Sequence, residues 1–470
     1  MTRLQYTGHT QLYIDGAWAD ARSGATRDIR YPCDASGVTA VAERGRLVEK
    51  LADRVEENRE QLAQLESLDT GKTVEESRWD MDDIAGIFRY FGQLADKEAG
   101  EIIDSPVQNT TSRLVREPIG VAAQISPWNY PLLQASWKIA PALAAGCTIV
   151  MKPSGQTPLT TIRITELAEE VGFPKGVVNL VLGAGSIVGD AMSRHPGVDL
   201  VSFTGGIVTG KQILKAAADS VKKVALELGG KNPNLVFADA DFDTAVDFAL
   251  NGVFFHAGQI CSAGSRVLVE SSIHDDFVAV LKERISKIRL GDAFDEQTEM
   301  GPLISPEHRD TVVRYMQLAR DEGCTFVLGG GRPENPPHAD GYYFEPTLIT
   351  GVNNEMQIAK EEIFGPVITV ESFDSEEQAV EWANDTIYGL SAGLWTKDQN
   401  RAERVAAALR AGTVWINDFN IYFVQAPWGG YKQSGLGREL GKLGLEEYTE
   451  AKHIYQNHAN EPVNWFGAGS

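Results

Sequence analysis

The sequence predicts an α/β protein built as two halves, each a parallel sheet wrapped by helices. Three observations carry this. From Thr148 onward, short apolar runs of strand length alternate with amphipathic stretches of helical spacing, the pattern of parallel strands joined by helical crossovers. The rhythm restarts after Glu227. The chain has 470 residues, 43% hydrophobic and 23% charged, so it is globular but too long for one ordinary core.

In chain order, 11–29 alternates apolar runs with Gly16 and Gly24, as hairpin strands do. Leu47, Leu51, Val55, Leu62 and Leu65 recur at helical spacing and predict one long amphipathic helix over 44–65, with a second over 79–95. The stretch 114–125 reads as extended, and Pro127-Trp128-Asn129-Tyr130-Pro131 breaks the pattern before a helix carrying Trp137. The first half then has strands at 148–151, 177–182 and 199–203 and helices at 160–171 and 208–218. In the second half, strands at 235–237, 266–270, 368–373, 392–395 and 413–416 alternate with helices at 241–255, 273–288, 376–384 and 400–409. The Pro-rich stretch 329–341 reads as a surface loop.

Composition excludes several classes of function. Asp and Glu number 65 against 43 Lys and Arg, a net charge of −22 that opposes nucleic acid and anionic membrane. Cys33, Cys147, Cys261 and Cys324 lie far apart without CxxC or metal-ligand spacing. Neither a disulfide framework nor a metal site is indicated, and reduced thiols suit a cytoplasmic setting. The N-terminus lacks a signal-peptide core, and no run reaches the roughly 18 apolar residues of a membrane span. The expectation is a soluble, unprocessed protein.

One stretch stands out chemically. Phe254-Phe255-His256-Ala257-Gly258-Gln259-Ile260-Cys261-Ser262 ends a helical pattern and delivers a thiol into a small-residue turn. Cys261 is a candidate covalent nucleophile; a buried structural cysteine is the competing reading. Attack on a carbonyl needs donors for the oxygen that becomes negative, and Asn129, between two prolines, is a candidate, although Asn also suits a stiff turn. Glu227, at the end of an apolar strand beside Gly229 and Gly230, is a candidate general base or a carboxylate capped by backbone amides. For a dinucleotide, Gly183-Ala184-Gly185-Ser186-Ile187-Val188-Gly189 is one residue longer than the usual fingerprint. The junction Phe203-Thr204-Gly205-Gly206 points backbone N–H groups better at phosphate, with Lys152 able to reach a ribose or phosphate.

Taken together, PWNYP, MKPSG, SFTGG, LELGGKNP, GQICSAGSR, MGPLIS, EEIFGPV, GTVWIND, APWGGYKQSGLGREL and EEYTE resemble the aldehyde dehydrogenase superfamily over nearly the whole chain, and within it the betaine aldehyde dehydrogenases. The resemblance implies a Rossmann-type dinucleotide-binding domain (1–105 and 123–227), an α/β catalytic domain (228–440), small β oligomerisation arms (106–122 and 441–460) and a tail (461–470). It implies Cys261 as nucleophile, Asn129 with the Cys261 backbone N–H as oxyanion hole, and Glu227 as the base that activates water. Trp128, Lys152, Ser154, Gly155, Gly185, Gly189, Phe203, Gly205, Gly206, Leu228 and Gly229 would surround the dinucleotide, with Glu362 and Phe364 at the nicotinamide ribose. Read without the resemblance, Glu362 is one acid in a charged run. No catalytic metal is implied.

The implied reaction is NAD-dependent oxidation of an aldehyde, betaine aldehyde to glycine betaine, through a thiohemiacetal and a thioester. Tyr130, Trp137, Phe255 and Trp428, with Tyr422 nearby, would line the aldehyde tunnel and hold a quaternary ammonium by cation–π attraction, though aromatics also line cores and generic tunnels. Aminoaldehydes or short aliphatic aldehydes are the nearest alternative substrates. A coenzyme A-acylating enzyme and an inactive scaffold are further alternatives, against which Glu227 and the retained trio speak respectively. A homodimer or homotetramer is implied.

Two departures from the pattern matter. Where many relatives have Lys-Pro-Ser-Glu, this chain has Lys152-Pro153-Ser154-Gly155. That change removes an acceptor for the NAD ribose and a repulsion against the 2′-phosphate of NADP, so NAD is expected and NADP is admitted. At Val41-Ala42-Glu43-Arg44, relatives carry a few dozen further residues including a helix. Their loss would uncover apolar surface or call for another element to cover it.

Overall fold

In the computed structural model, which describes residues 12–19, 41–95, 97, 100–335, 338–459, 462 and 466, the alternating pattern resolves into two sheets and a small third one. The first contains five parallel strands in the spatial order Lys223–Leu228, Leu200–Gly205, Val121–Ile125, Thr148–Lys152, Val178–Leu180. The strand that comes first along the chain, Val121–Ile125, is central, so the winding reverses between it and Leu200–Gly205. A crevice opens at such a reversal, beyond the carboxyl ends of the strands, and that is where ligands bind in open α/β sheets.

The hairpin Leu12–Ile14/Ala17–Ala19 adds to one edge through Tyr13 opposite Leu180. The remainder of the predicted 11–29 hairpin and the tail beyond 466 lie outside the described residues, as does Cys33. On the opposite edge Gly435–Leu436, from late in the chain, pairs antiparallel with Glu227 and Leu226.

The second sheet has seven strands, Thr325–Leu328, Thr347–Thr350, Val367–Phe373, Arg266–Glu270, Pro233–Val236, Ser391–Trp395 and Thr413–Ile416 in spatial order, antiparallel only at the first pair. Arg266–Glu270 and Pro233–Val236 begin in register, Pro233 opposite Arg266. The chain leaves the carboxyl end of one sheet at Leu228 and enters the amino end of the other at Pro233, so the two edges face each other. A three-stranded antiparallel arm, Gly100–Ile103, Thr110–Pro118 and Thr449–Asn457, stands apart. Ile102 is 82% exposed there.

Three predicted elements differ. The single helix over 44–65 is two, Val41–Glu57 and Arg59–Thr70, because the backbone leaves helical geometry at Asn58 (φ −105, ψ 14), whose N–H is shared between the Arg54 carbonyl at 3.1 Å and the Val55 carbonyl at 3.2 Å and whose side-chain amide also donates to the Arg54 carbonyl at 2.7 Å. The extended stretch 114–125 is divided between arm and sheet at Gly120 (φ 124), where a Cβ would stand 2.1 Å from an Asp199 carboxylate oxygen. The arm therefore starts at Gly100, earlier than 106, and Val121 and Ala122 belong to the first sheet. Helix Pro131–Ala145 is buried along its whole length between Pro131 at its first position and Gly146 in the left-handed region.

Candidate active site

Helix Phe242–Phe254 ends in a tight turn, Phe255–Gly258, in which His256 (φ 46) and Ala257 (φ 52) are left-handed. Such residues cost roughly 1–3 kcal/mol each and persist only when their surroundings fix them. One fixing contact is Glu76. One of its carboxylate oxygens accepts from Thr73 N–H in the capping box of helix Val74–Leu94, and the other accepts from His256 N–H at 2.6 Å. A second is Gly258 (φ 74), where a Cβ would meet the Gly365 carbonyl at 2.0 Å. The turn delivers Cys261, partly exposed, into a cavity.

Asn129 is 5% exposed and donates through Nδ2 to the Gln259 carbonyl at 2.9 Å. Gln259 is itself pinned, its side chain donating to the His256 carbonyl at 3.0 Å and accepting from Ile304 N–H at 2.9 Å. A primary amide has two N–H donors, so one remains after the bond to Gln259.

Glu227 is the penultimate residue of strand Lys223–Leu228 and is 2% exposed. Its Oε1 accepts from Trp428 Nε1 at 3.1 Å, and its Oε2 has no hydrogen-bond partner among the described residues. Burial, and then the Glu439 carboxylate, push its pKa well above the usual range, against the opposing pull of Trp428, Lys138 and Arg438. Glu439 is paired with the buried Lys138, which also donates to Thr204 Oγ1 at 2.6 Å. Burial likewise pushes the Cys261 thiol well up, reinforced by the Glu227 and Glu362 carboxylates, so the thiol is the resting form.

Asn129, Glu227 and Cys261 line one cavity of about 180 Å³ together with Trp128, Leu228, Gly229, Glu362 and Phe364. Through Trp128, Gly205 and Gly206 it adjoins a cleft of about 720 Å³ lined by Lys152, Ser154, Gly155, Gly185, Gly189 and Phe203. Every sequence-selected cofactor position thus lies on one of the two. The cleft sits at the winding reversal of the first sheet. Gly206 opens helix Ile207–Ala218, whose first-turn N–H groups suit an anion. A Cβ on Gly155, Gly185 or Gly206 would meet nothing within 4 Å among the described residues, leaving their faces open. Lys152 Nζ reaches the Pro153 carbonyl at 2.9 Å. This is a cradle that fits a dinucleotide. Glu362 accepts from Gly230 N–H at 3.0 Å, and its carboxyl is pushed up to about 7 by burial, opposed by that bond and by Lys231.

The five aromatic candidates do not form one ring contact set. Trp137, Tyr422 and Trp428 cluster, with centroids 5.3 Å (Trp137–Tyr422), 5.9 Å (Trp137–Trp428) and 6.4 Å (Tyr422–Trp428) apart. Tyr130 instead stands edge-on to His256 at 5.5 Å, and Phe255 edge-on to Trp79 at 5.9 Å. Sequence reasoning missed Glu76, Gln259, Lys138 and Glu439, and it missed the Trp428–Glu227 bond. Gln259 and Glu439 lie inside quoted motifs, but a hydrogen bond between distant segments leaves no mark in a single sequence.

Among comparisons with known proteins, the model of the aldehyde dehydrogenase family matches residues 14–454. The chain is 57% identical to betaine aldehyde dehydrogenase of Bacillus subtilis over 486 residues, covering 97% of this chain and 99% of that one. It is 44% identical to aminoaldehyde dehydrogenase 2, peroxisomal, of Pisum sativum, covering 97% and 90%. Among solved structures, betaine aldehyde dehydrogenase from Staphylococcus aureus in complex with NAD+ superposes with a TM-score of 0.94 at 57% identity, covering 97% of each chain.

Proposed function

The chain belongs to the aldehyde dehydrogenase family, and from that premise we propose that it oxidises a cationic aldehyde, betaine aldehyde ahead of aminoaldehydes, to the carboxylate with NAD. The observation that carries this is the single cavity holding Cys261, Asn129 and Glu227 beside Glu362 and Phe364, next to the dinucleotide cleft. The Bacillus and Staphylococcus relatives support betaine aldehyde, and the Pisum relative keeps aminoaldehydes as the second reading.

The Cys261 thiol loses its proton to solvent water, and its sulfur bonds to the aldehyde carbon. The carbonyl oxygen becomes negative, and the free Asn129 N–H and the Cys261 backbone N–H stabilise it, a preorganised donor being worth about 10²–10³ in rate. When bound, the nicotinamide supplies the hydride acceptor, and Glu362 and Phe364 would hold its ribose. The resulting thioester on Cys261 is cleaved by a water whose proton Glu227 takes; carboxylate leaves and the thiol is restored. A buried carboxylate in the same cavity as the sulfur supports hydrolysis over transfer to coenzyme A.

Gly155, open on its side-chain face, supports use of NADP beside NAD. The exposed three-stranded arm, with Ile102 82% and Tyr455 50% exposed, supports a homo-oligomer, and the free thiols of Cys147, Cys261 and Cys324 support a cytoplasmic setting. The test is steady-state reduction of NAD by betaine aldehyde, 4-aminobutanal and propanal, with and without coenzyme A. Betaine aldehyde is expected to have the highest kcat/KM and to yield free carboxylate; a preference for propanal, or product only with coenzyme A, would refute the reading.

A further inference from the structure

Helix Val74–Leu94 grips the turn before Cys261 at two successive residues. Trp79 stands edge-on to Phe255, with ring centroids 5.9 Å apart, and one Glu76 oxygen accepts from the N–H of the next residue, His256, at 2.6 Å. The other Glu76 oxygen is held by Thr73, whose N–H and Oγ1 donate to it at 2.8 Å and 2.7 Å. With both oxygens bonded, the carboxylate is fixed in orientation against the turn.

From His256 the hydrogen bonds run on to the oxyanion donor. The His256 carbonyl accepts from the Gln259 backbone N–H at 3.1 Å and from the Gln259 side-chain amide at 3.0 Å. The Gln259 carbonyl in turn accepts from Asn129 Nδ2 at 2.9 Å. That bond uses one of the two amide protons of Asn129 and thereby aims the other. His256, Gln259 and Asn129 are all buried, so the path is closed to bulk water. Cys261 is held from another side, its carbonyl accepting from Asn232 Nδ2 at 2.8 Å.

We propose that Glu76 is a positioning residue for the oxyanion hole: acting through His256 and Gln259, it aims the free N–H of Asn129 at the oxygen that becomes negative. This rests on the reading of Asn129 and Cys261 in the proposed oxidation and adds the residue that keeps the hole in shape. Without an acceptor at position 76 the His256 N–H is left buried and unpaired. His256 and Ala257, both left-handed, then lose a contact that keeps them so. As the turn relaxes it carries the Gln259 carbonyl, and with it the Asn129 amide, away from the developing charge. A misplacement of about 1 Å can cost about 10²-fold in rate. Glu76 also faces the Lys72 ammonium, so acceptor and charge have to be told apart. Glutamine does this, because it offers the same oxygen to the His256 N–H without the charge.

The experiment measures kcat and KM for betaine aldehyde and propanal in the wild-type protein, Glu76→Ala, Glu76→Gln, Asn129→Ala and the double variant Glu76→Ala/Asn129→Ala. It also measures alkylation of Cys261 by iodoacetamide, which displaces iodide at a saturated carbon, forms no oxyanion and so reports on the sulfur alone. Glu76→Ala is expected to lower kcat about 10- to 100-fold, equally for both aldehydes, with KM and alkylation little changed. Glu76→Gln should recover most of that loss. Added to Asn129→Ala, the Glu76→Ala change is expected to cost less than about threefold, because the donor through which Glu76 acts is already gone. A full further loss in the double variant, a Glu76→Gln as slow as Glu76→Ala, or alkylation slowed as much as turnover would overturn the proposal and leave the functional reading standing. If neither aldehyde is oxidised, or if Asn129→Ala by itself leaves kcat unchanged, the functional reading and this proposal fall together. Should Glu76→Ala not fold, Glu76→Met, of similar length and without an acceptor, takes its place. Should that fail too, Glu76→Gln decides alone, a loss of about tenfold or more overturning the proposal and a smaller one upholding it.

Discussion

Trp428→Phe isolates one hydrogen bond of the mechanism. In the proposed mechanism Glu227 must be ionised to take a proton from water, yet burial and Glu439 push its carboxyl pKa well above the usual range, and among the described residues the Trp428 N–H is the one hydrogen bond its side chain receives. Phenylalanine keeps an aromatic ring in place and removes that donor. A hydrogen bond to a charged group is worth about 1.5–3 kcal/mol, and at 2% exposure solvent screening does not discount it. At about 1.4 kcal/mol per pH unit, the acid limb of kcat moves upward by about one to two pH units. The sign follows from the charge type: the active form is the anion, activity is present above the carboxyl's pKa, and removing a stabiliser of the anion raises that pKa. Below the limb, kcat falls about ten- to hundredfold. The assay is kcat against pH with a neutral aldehyde, which removes any effect of the ring on a cation, together with stopped-flow detection of a reduced-cofactor burst as thioester hydrolysis becomes limiting. An acid limb that stays in place, with no burst, would refute the assignment of Glu227 as the base.

Asn129→Ala should lower kcat about 10²–10³-fold by removing an oxyanion donor, with the dinucleotide Kd, read by fluorescence titration, little changed. Loss of cofactor binding of similar size would show that the asparagine holds the turn and not the oxygen. Gly155→Glu enters open space, so the fold should survive while the new carboxylate opposes a 2′-phosphate. The ratio of kcat/KM for NADP to that for NAD is expected to fall about tenfold or more, and an unchanged ratio would remove Gly155 from cofactor choice.

The two-sheet architecture was legible because its strands are short apolar runs bounded by turn residues, a local signal that survives any tertiary context. The split of the predicted 44–65 helix was not legible from periodicity: Leu47 through Leu65 keep their spacing across Asn58, and the turn there is a change of backbone angle (φ −105, ψ 14) with the Asn58 N–H still bonded to the Arg54 carbonyl. Cys261, Asn129 and Glu227 could be singled out because each is an unusual residue type in its setting, a thiol in a small-residue turn, an amide between prolines, an acid on an apolar strand. Their convergence in one cavity could not be read that way. Glu76 shows the limit best, since the sequence marks it as an ordinary capping residue three positions after Thr73, while its second oxygen holds the turn before Cys261, 180 residues away.

The seam between the sheets explains why these particular residues meet. Glu227 is the penultimate residue of the last parallel strand of the first sheet, and after the four residues Leu228 to Lys231 the chain reaches Asn232 and opens the second sheet. The side-chain amide of Asn232 donates to the Cys261 carbonyl at 2.8 Å and the Ala263 carbonyl at 3.0 Å, and its oxygen accepts from Ser391 N–H at 3.0 Å. Glu227 and Cys261 are thereby fixed to opposite lips of one crossing. The crossing is narrow enough that a Cβ on Gly229 would stand 2.1 Å from a Glu362 oxygen and one on Gly230 would stand 2.7 Å from the Cys261 carbonyl. Two residues without side chains are what let Glu362, Glu227 and the Cys261 sulfur share one cavity, so the proposed chemistry depends on backbone approach at this seam as much as on the reactive groups themselves.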